Sequence, residues 1–172
     1  MTGQTGHDPD YPIRTERLLL RPIAPSDAVA MHGYKSDPDA VRYVPYPPLE
    51  LADVEQRIAT TWSNTRFTKE GDAVSLAVEE RASGALVGDV VLFWRSENDR
   101  SGEVGYIFDP RATGRGYATE AVDALLALGF DGLGLHRIVA RLDGAQHVIR
   151  PRRREARVPT RGAVRGERVV QG

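Results

Sequence analysis

The sequence predicts an α/β (α+β) domain in which a central mixed, mostly antiparallel sheet is flanked by helices. Three observations predict it. Glu103–Phe108 alternates and is rich in aromatic and β-branched residues, which marks a strand. That strand runs through a Pro- and Gly-containing turn into 118–130, where Ala118, Ala121, Val122, Leu125, Leu126 and Leu128 recur at helical spacing. Ahead of both, Val74–Glu80 and Leu86–Trp94 read as strands joined by the turn Arg81–Ala85, a hairpin.

The 172 residues suffice for one domain with a real core, and 41% apolar with 27% charged residues describes a folded chain rather than a disordered one. No apolar run is long enough to span a bilayer and Met1–Asp10 is polar, so a cytoplasmic protein without membrane partners is expected. The absence of Cys excludes disulfides, a thiol nucleophile and thiolate metal sites. His7, His32, His136 and His147 are scattered without metal-ligand spacing, so no metal is expected.

Taken in order, Met1–Pro12 reads as a mobile leader and Ile13–Pro22 as a first strand. Ser26 or Asp27 can cap a short helix over Asp27–Lys35. Ser36–Pro48 is loop-like, broken by Pro38, Pro45, Pro47 and Pro48, and carries Tyr43 and Tyr46, for which packing and substrate contact are both open. Leu51, Val54, Ile58 and Trp62 give Leu49–Asn64 one apolar helical face. Ser96–Ser101 is a polar turn that returns the Glu103 strand antiparallel to the hairpin. Leu135–Asp143 is a strand expected to lie parallel to Glu103–Phe108 through a right-handed crossover.

The chemistry concentrates in Asp109–Ala121, D-P-R-A-T-G-R-G-Y-A-T-E-A. Pro110 belongs in the turn, and Gly114 and Gly116 let the backbone bend so that its N–H groups approach a ligand closely. The first amides of the following helix have no intrahelical partner, and the helix dipole adds partial positive charge. A phosphate or pyrophosphate suits such a place. No Gly-Lys-Ser/Thr follows and no dinucleotide G-x-G-x-x-G is present. On two glycines and an arginine alone, an ordinary strand-to-helix turn would stand ahead of this reading.

Arg111-x-x-Gly114-x-Gly116 followed by Tyr117-Ala118-Thr119-Glu120-Ala121 resembles the acetyl-CoA pyrophosphate loop of the GNAT (GCN5-related) N-acetyltransferases. The opening T-E-R-L-L-L-R-P with its Ser-Asp-Ala helix start, and E-x-x-x-G-x-L-V-G at Glu80–Gly88, extend the likeness to Ile13–Asp143. More narrowly it resembles the branch that includes ribosomal-protein N-terminal acetyltransferases. The resemblance implies the GNAT acyl-CoA N-acyltransferase fold, acetyl-CoA as co-substrate and a primary amine as acceptor.

It also implies roles. Backbone N–H groups of Gly114, Arg115, Gly116, Tyr117 and Ala118 would hold the pyrophosphate, with Arg111 and Arg115 as nearby cations and Thr119 as a hydroxyl donor. A backbone N–H on the strand through Ile107 and Phe108 would bind the thioester carbonyl. Glu103 would accept the amine's proton, directly or through a water; a solvated strand glutamate is the competing reading. No general acid can be assigned. A protein N-terminus, an aminoglycoside, a polyamine and a small amino acid all remain open as acceptors. An oligomer is compatible, and a non-catalytic acyl-CoA-binding protein is the alternative function.

Beyond Asp143 the pattern departs. Residues 144–172 carry 8 Arg against 2 Glu, a balance of +6, whereas 1–143 carry 15 Lys and Arg against 22 Asp and Glu, a balance of −7. The tail has no Leu and no aromatic residue, so the helix and strands that normally close the family fold are expected to be missing or altered. Codons exist for which reading one base later turns Gly144–Arg150 into Ala-Arg-Asn-Thr-Ser-Ser, Arg154–Pro159 into Glu-Lys-Leu-Gly-Phe and Gly166–Gly172 into Glu-Asn-Glu-Trp-Phe-Lys. Three family-like segments in one frame make a frameshift near Asp143 the preferred reading. A basic arm for nucleic acid or anionic membrane ranks second.

Overall fold

The computed structural model describes residues 7–142, 145–150 and 167–170. Among them, one sheet holds eight strands in chain order, β1 Ile13–Arg14, β2 Leu18–Pro22, β3 Ala73–Glu80, β4 Leu86–Ser96, β5 Ser101–Phe108, β6 Arg137–Leu142, β7 Ala145–Arg150 and β8 Glu167–Val170. All neighbours are antiparallel except β5 and β6, whose parallel register runs from Ser101↔Arg137 to Val104↔Ala140. The expected parallel pairing of these two strands is therefore present. Helices α1 Ala28–Lys35, α2 Leu51–Thr60 and α3 Tyr117–Ala127 complete the domain.

Strand alternation distributes the core between the two faces. Leu18, Leu20, Val74, Leu76, Leu92 and Val104 point toward α3 and bury Leu125 and Leu126. Ala77 and Ile107 point the other way, toward Met31 and Tyr34 of α1 and Val54 and Ile58 of α2. The α1–α2 layer covers the row Ala77–Asp89–Ile107 but leaves part of this second face open, and there the cross-strand rows Ser75–Val91–Gly105 and Ala73–Phe93–Glu103 form a floor.

Several expectations are corrected. The first strand is two: Thr15 N donates to Leu18 O at 2.9 Å and Leu18 N to Thr15 Oγ1 at 3.0 Å, a side-chain-closed turn that folds β1 back on β2. Within the leader, His7 exchanges backbone bonds with Phe67 and the Tyr11 hydroxyl donates to Thr65 O at 2.8 Å. Asp27 does not cap α1; its carboxylate accepts from Ala24 N and both terminal nitrogens of Arg21, each at 2.8 Å. α3 ends at Ala127 and passes into one wide π turn over Leu128–Gly132.

The tail supplies strands after all. Backbone pairing needs an open edge, not Leu or aromatic side chains, and β6 presents one to β7, and β7 to β8. No helix follows β6 among the described residues, so the closure of the fold is altered. The segments 143–144, 151–166 and 171–172, and with them most of the frameshift reading, lie outside the described residues.

Candidate active site

The loop between β5 and α3 begins with Asp109, whose carboxylate accepts from the Arg111 amide at 2.9 Å and pairs with its guanidinium at 2.8 Å. Gly114 and Gly116 have φ of 79° and 80°, the left-handed region that side chains disfavour. Gly116 immediately precedes α3, so the loop bends there and the first turn of the helix opens outward. A cleft of about 510 Å³ lies against it, lined by Phe108, Gly114, Gly116, Tyr117, Ala118 and Thr119.

Six of the nine residues expected to contact the cofactor thus meet in one cleft. Arg111 and Arg115 do not line it: Arg111 is 89% exposed and held by Asp109, while the Arg115 carbonyl accepts from Arg17 Nη1 at 2.7 Å. Ile107 is buried on the opposite face of β5. Tyr117 lines the cleft, but its hydroxyl donates to Glu80 Oε1 at 2.8 Å, and Arg17 lies over its ring at 4.6 Å. Glu120 accepts from Thr15 Oγ1 at 2.6 Å and from Arg17 N and Nε at 2.8 Å each. Burial pushes the Glu120 carboxyl up, but these partners outweigh it and hold it below its ordinary 4.5.

A second cavity, of about 450 Å³, opens over the uncovered face of the sheet and shares Ala40 and Tyr106 with the first. Glu103 lies in its floor, 19% exposed, with Oε2 at 3.0 Å from both Nε and Nη2 of Arg95. The two spaces meet where β5 outruns the β6 register, which ends at Val104. One cleft beside a helix start and one cavity carrying a carboxylate therefore adjoin across a single strand.

At the back of the cavity is a cluster that the sequence did not disclose. Lys35 is 1% exposed and its ammonium sits 2.9 Å from Asp89 Oδ2, 3.0 Å from the Tyr46 hydroxyl and 4.6 Å from the centre of the Trp62 ring. The Tyr34 hydroxyl donates to Asp89 Oδ2 at 2.7 Å. Burial pulls the Lys35 pKa down, yet Asp89 and Tyr46 together hold it above its ordinary 10.5, so the ammonium stays charged. A lysine at the end of a short amphipathic helix carries no sequence mark of burial. Only its counter-ion, 54 residues away, reveals it.

An acetyltransferase (GNAT) domain model matches residues 17–147. The chain belongs to the GNAT acetyltransferase family. It is 31% identical over 128 residues to the uncharacterised N-acetyltransferase YnaD of Bacillus subtilis (strain 168), which covers 74% of this chain and 71% of that one. The crystal structure of a GNAT-family acetyltransferase from Bacillus anthracis superposes with a TM-score of 0.64 at 32% identity, over 76% of this chain and 72% of the other. A structure described as a candidate ribosomal-protein-serine acetyltransferase from Vibrio cholerae gives 0.62 at 26% identity, over 78% and 75%.

GNAT enzymes use acetyl-CoA. The cleft sits at a helix start behind two left-handed glycines, a geometry that suits an anion. Among the described residues no cluster of His, Cys, Asp or Glu could hold a metal, and no helix is long and apolar enough to cross a membrane.

Proposed function

We propose that this GNAT domain transfers the acetyl group of acetyl-CoA to a primary amine by direct attack in a ternary complex. The observation that carries the reading is the junction of the two spaces at β5, with the glycine loop on one side and Glu103 on the other. Acetyl-CoA, when bound, supplies an activated thioester carbonyl. The amides of Gly114–Ala118 and the Thr119 hydroxyl hold its pyrophosphate, and the β5 backbone near Ile107 and Phe108 donates to the carbonyl as negative charge develops there. Glu103 would accept the proton that an ammonium must lose before its nitrogen can bond to the carbonyl carbon; the C–S bond would then break, with CoA leaving as the thiolate and taking up the second proton that the amine nitrogen sheds. Holding amine and thioester together supplies much of the rate, since effective molarities can reach about 10⁵ M.

Arg111 and Arg115 act here by long-range attraction, since neither lines the cleft. Calorimetry with CoA and turnover with a panel of primary amines test the two halves of the reading separately. Binding of CoA is expected, together with acetylation that Glu103→Gln slows by about 10²-fold or more, the usual scale of a general base. An unchanged kcat/KM and pH profile in that variant would remove Glu103 from the mechanism. CoA binding without turnover on any amine would leave a non-catalytic acyl-CoA binder.

A further inference from the structure

The features that could attract cations to the cavity are already engaged by this chain's own cations. Asp89 and Glu103 are the only carboxylates among its lining residues, and they are ion-paired with Lys35 at 2.9 Å and Arg95 at 3.0 Å. Three of its five aromatic side chains, Trp62, Tyr46 and Phe93, are engaged by cations as well. Lys35 lies over Trp62 at 4.6 Å, Arg57 over Tyr46 at 5.1 Å, and Arg95 over Phe93 at 4.3 Å. Two cations, Lys35 and Arg95, therefore pair off the two carboxylates around a space whose remaining surface is mostly aromatic and aliphatic. A substrate with several separated ammonium groups would find each strong counter-charge occupied and no surplus negative charge to hold its further cations.

We infer that the cavity selects a singly charged amine carried on an apolar, ring-sized body, the aralkylamine class, and discriminates against polyamines. This specificity rests on the reading of the cavity as the acceptor side. Val91 and Phe93 in the floor and Tyr46 and Trp62 in the wall enclose the apolar body, and a single amine is directed toward Glu103. The buried Lys35–Asp89 pair keeps a carboxylate in the wall from becoming a second cation site. Its ammonium also fixes the Tyr46 ring against Trp62, with ring centres 6.3 Å apart.

The test is equilibrium binding to the full-length protein in saturating CoA at neutral pH, read by calorimetry and by quenching of Trp62. The probes are 2-phenylethylamine and spermidine. The expected result is affinity for phenylethylamine at least about tenfold above that for spermidine, the scale of one desolvated cation–π or charge contact. Equal or tighter binding of spermidine would overturn the inference, as would no phenylethylamine binding at millimolar concentration. Arg95→Gln removes a half-exposed cation and leaves the core intact, so it should narrow the ratio by raising spermidine affinity severalfold. A ratio that this variant leaves unchanged would overturn the charge argument. Acetyl transfer measured alongside separates the two readings. Preferred acetylation of spermidine overturns this inference and upholds transfer. Preferred binding of phenylethylamine, with no turnover of either amine or of the wider amine panel, upholds it and removes transfer.

Discussion

A single lysine shows how much one residue decides in this fold. Lys35 is buried with its charge intact, and a buried ion pair stabilises only while both partners are present. Replacing it by Met keeps the apolar contacts of the stem but strands Asp89 and removes a donor from Tyr46. The expected loss is about 3–5 kcal/mol, measured as a fall in the urea midpoint with unchanged slope. The sign of the pH effect follows from the direction of the shift. Because the folded pKa lies above 10.5, the pair's contribution is fully present below that value and is lost as pH rises through the folded pKa. Wild-type stability should therefore drop on the alkaline side more steeply than that of Lys35→Met.

At the scale of elements, the glycine loop is held in place from outside itself. Arg17, from the turn before β2, binds the Arg115 carbonyl, the Glu120 carboxylate and the Tyr117 ring at once. Arg17→Met should cost about 1–2 kcal/mol, the scale of a few charge-assisted bonds on a half-exposed residue, and should weaken CoA binding measured by calorimetry. The Glu120 end of this clamp is pH-dependent in the opposite sense to Lys35. Its carboxyl is held below 4.5, so its contribution is present above that pH and is lost as pH falls below it. CoA affinity is expected to fall in the same window in the wild type and less so in Arg17→Met.

What the sequence disclosed, and what it did not, divides along the same lines. The loop was legible because Gly114, Gly116 and the apolar spacing of α3 are local signals read within a dozen residues. The roles of Tyr117 and Glu120 were not, because their partners Glu80, Thr15 and Arg17 lie far away in the chain. Alternation puts Glu103, Gly105 and Ile107 on one face of β5, but alternation alone does not show that Ile107 packs under α1 and α2 while Glu103 faces a cavity. The tail misled for a different reason. Its composition speaks against a packed core, yet strand pairing is a backbone property and β7 and β8 form at an open edge.

For the whole molecule, the boundary of the family match is the telling feature. The acetyltransferase domain match ends at residue 147, close to where the charge balance reverses. We propose that residues 144–172 are translated out of frame and that the chain is an impaired acetyltransferase. Sequencing the gene decides it: the shifted frame should encode Asn-Thr-Ser-Ser, Glu-Lys-Leu-Gly-Phe and Glu-Asn-Glu-Trp-Phe-Lys together. If it does not, the basic ending is genuine and must be explained on its own terms. A frame-restored protein is expected to show a higher melting temperature and less aggregation than the chain as it stands, because helix and strand would cover apolar surface at the sheet's end.

The lone parallel pair in the sheet has a kinetic meaning. β6 cannot reach β5 until the chain has travelled through the glycine loop, α3 and the π turn, so closing that long crossover and shaping the anion cradle are one event. A ligand that grips the cradle should therefore slow the opening of a strand it never touches. In hydrogen exchange, the Ile138–Ala140 amides are expected to gain protection on adding CoA, in step with the amides of α3. Protection confined to the loop would show that the two open independently.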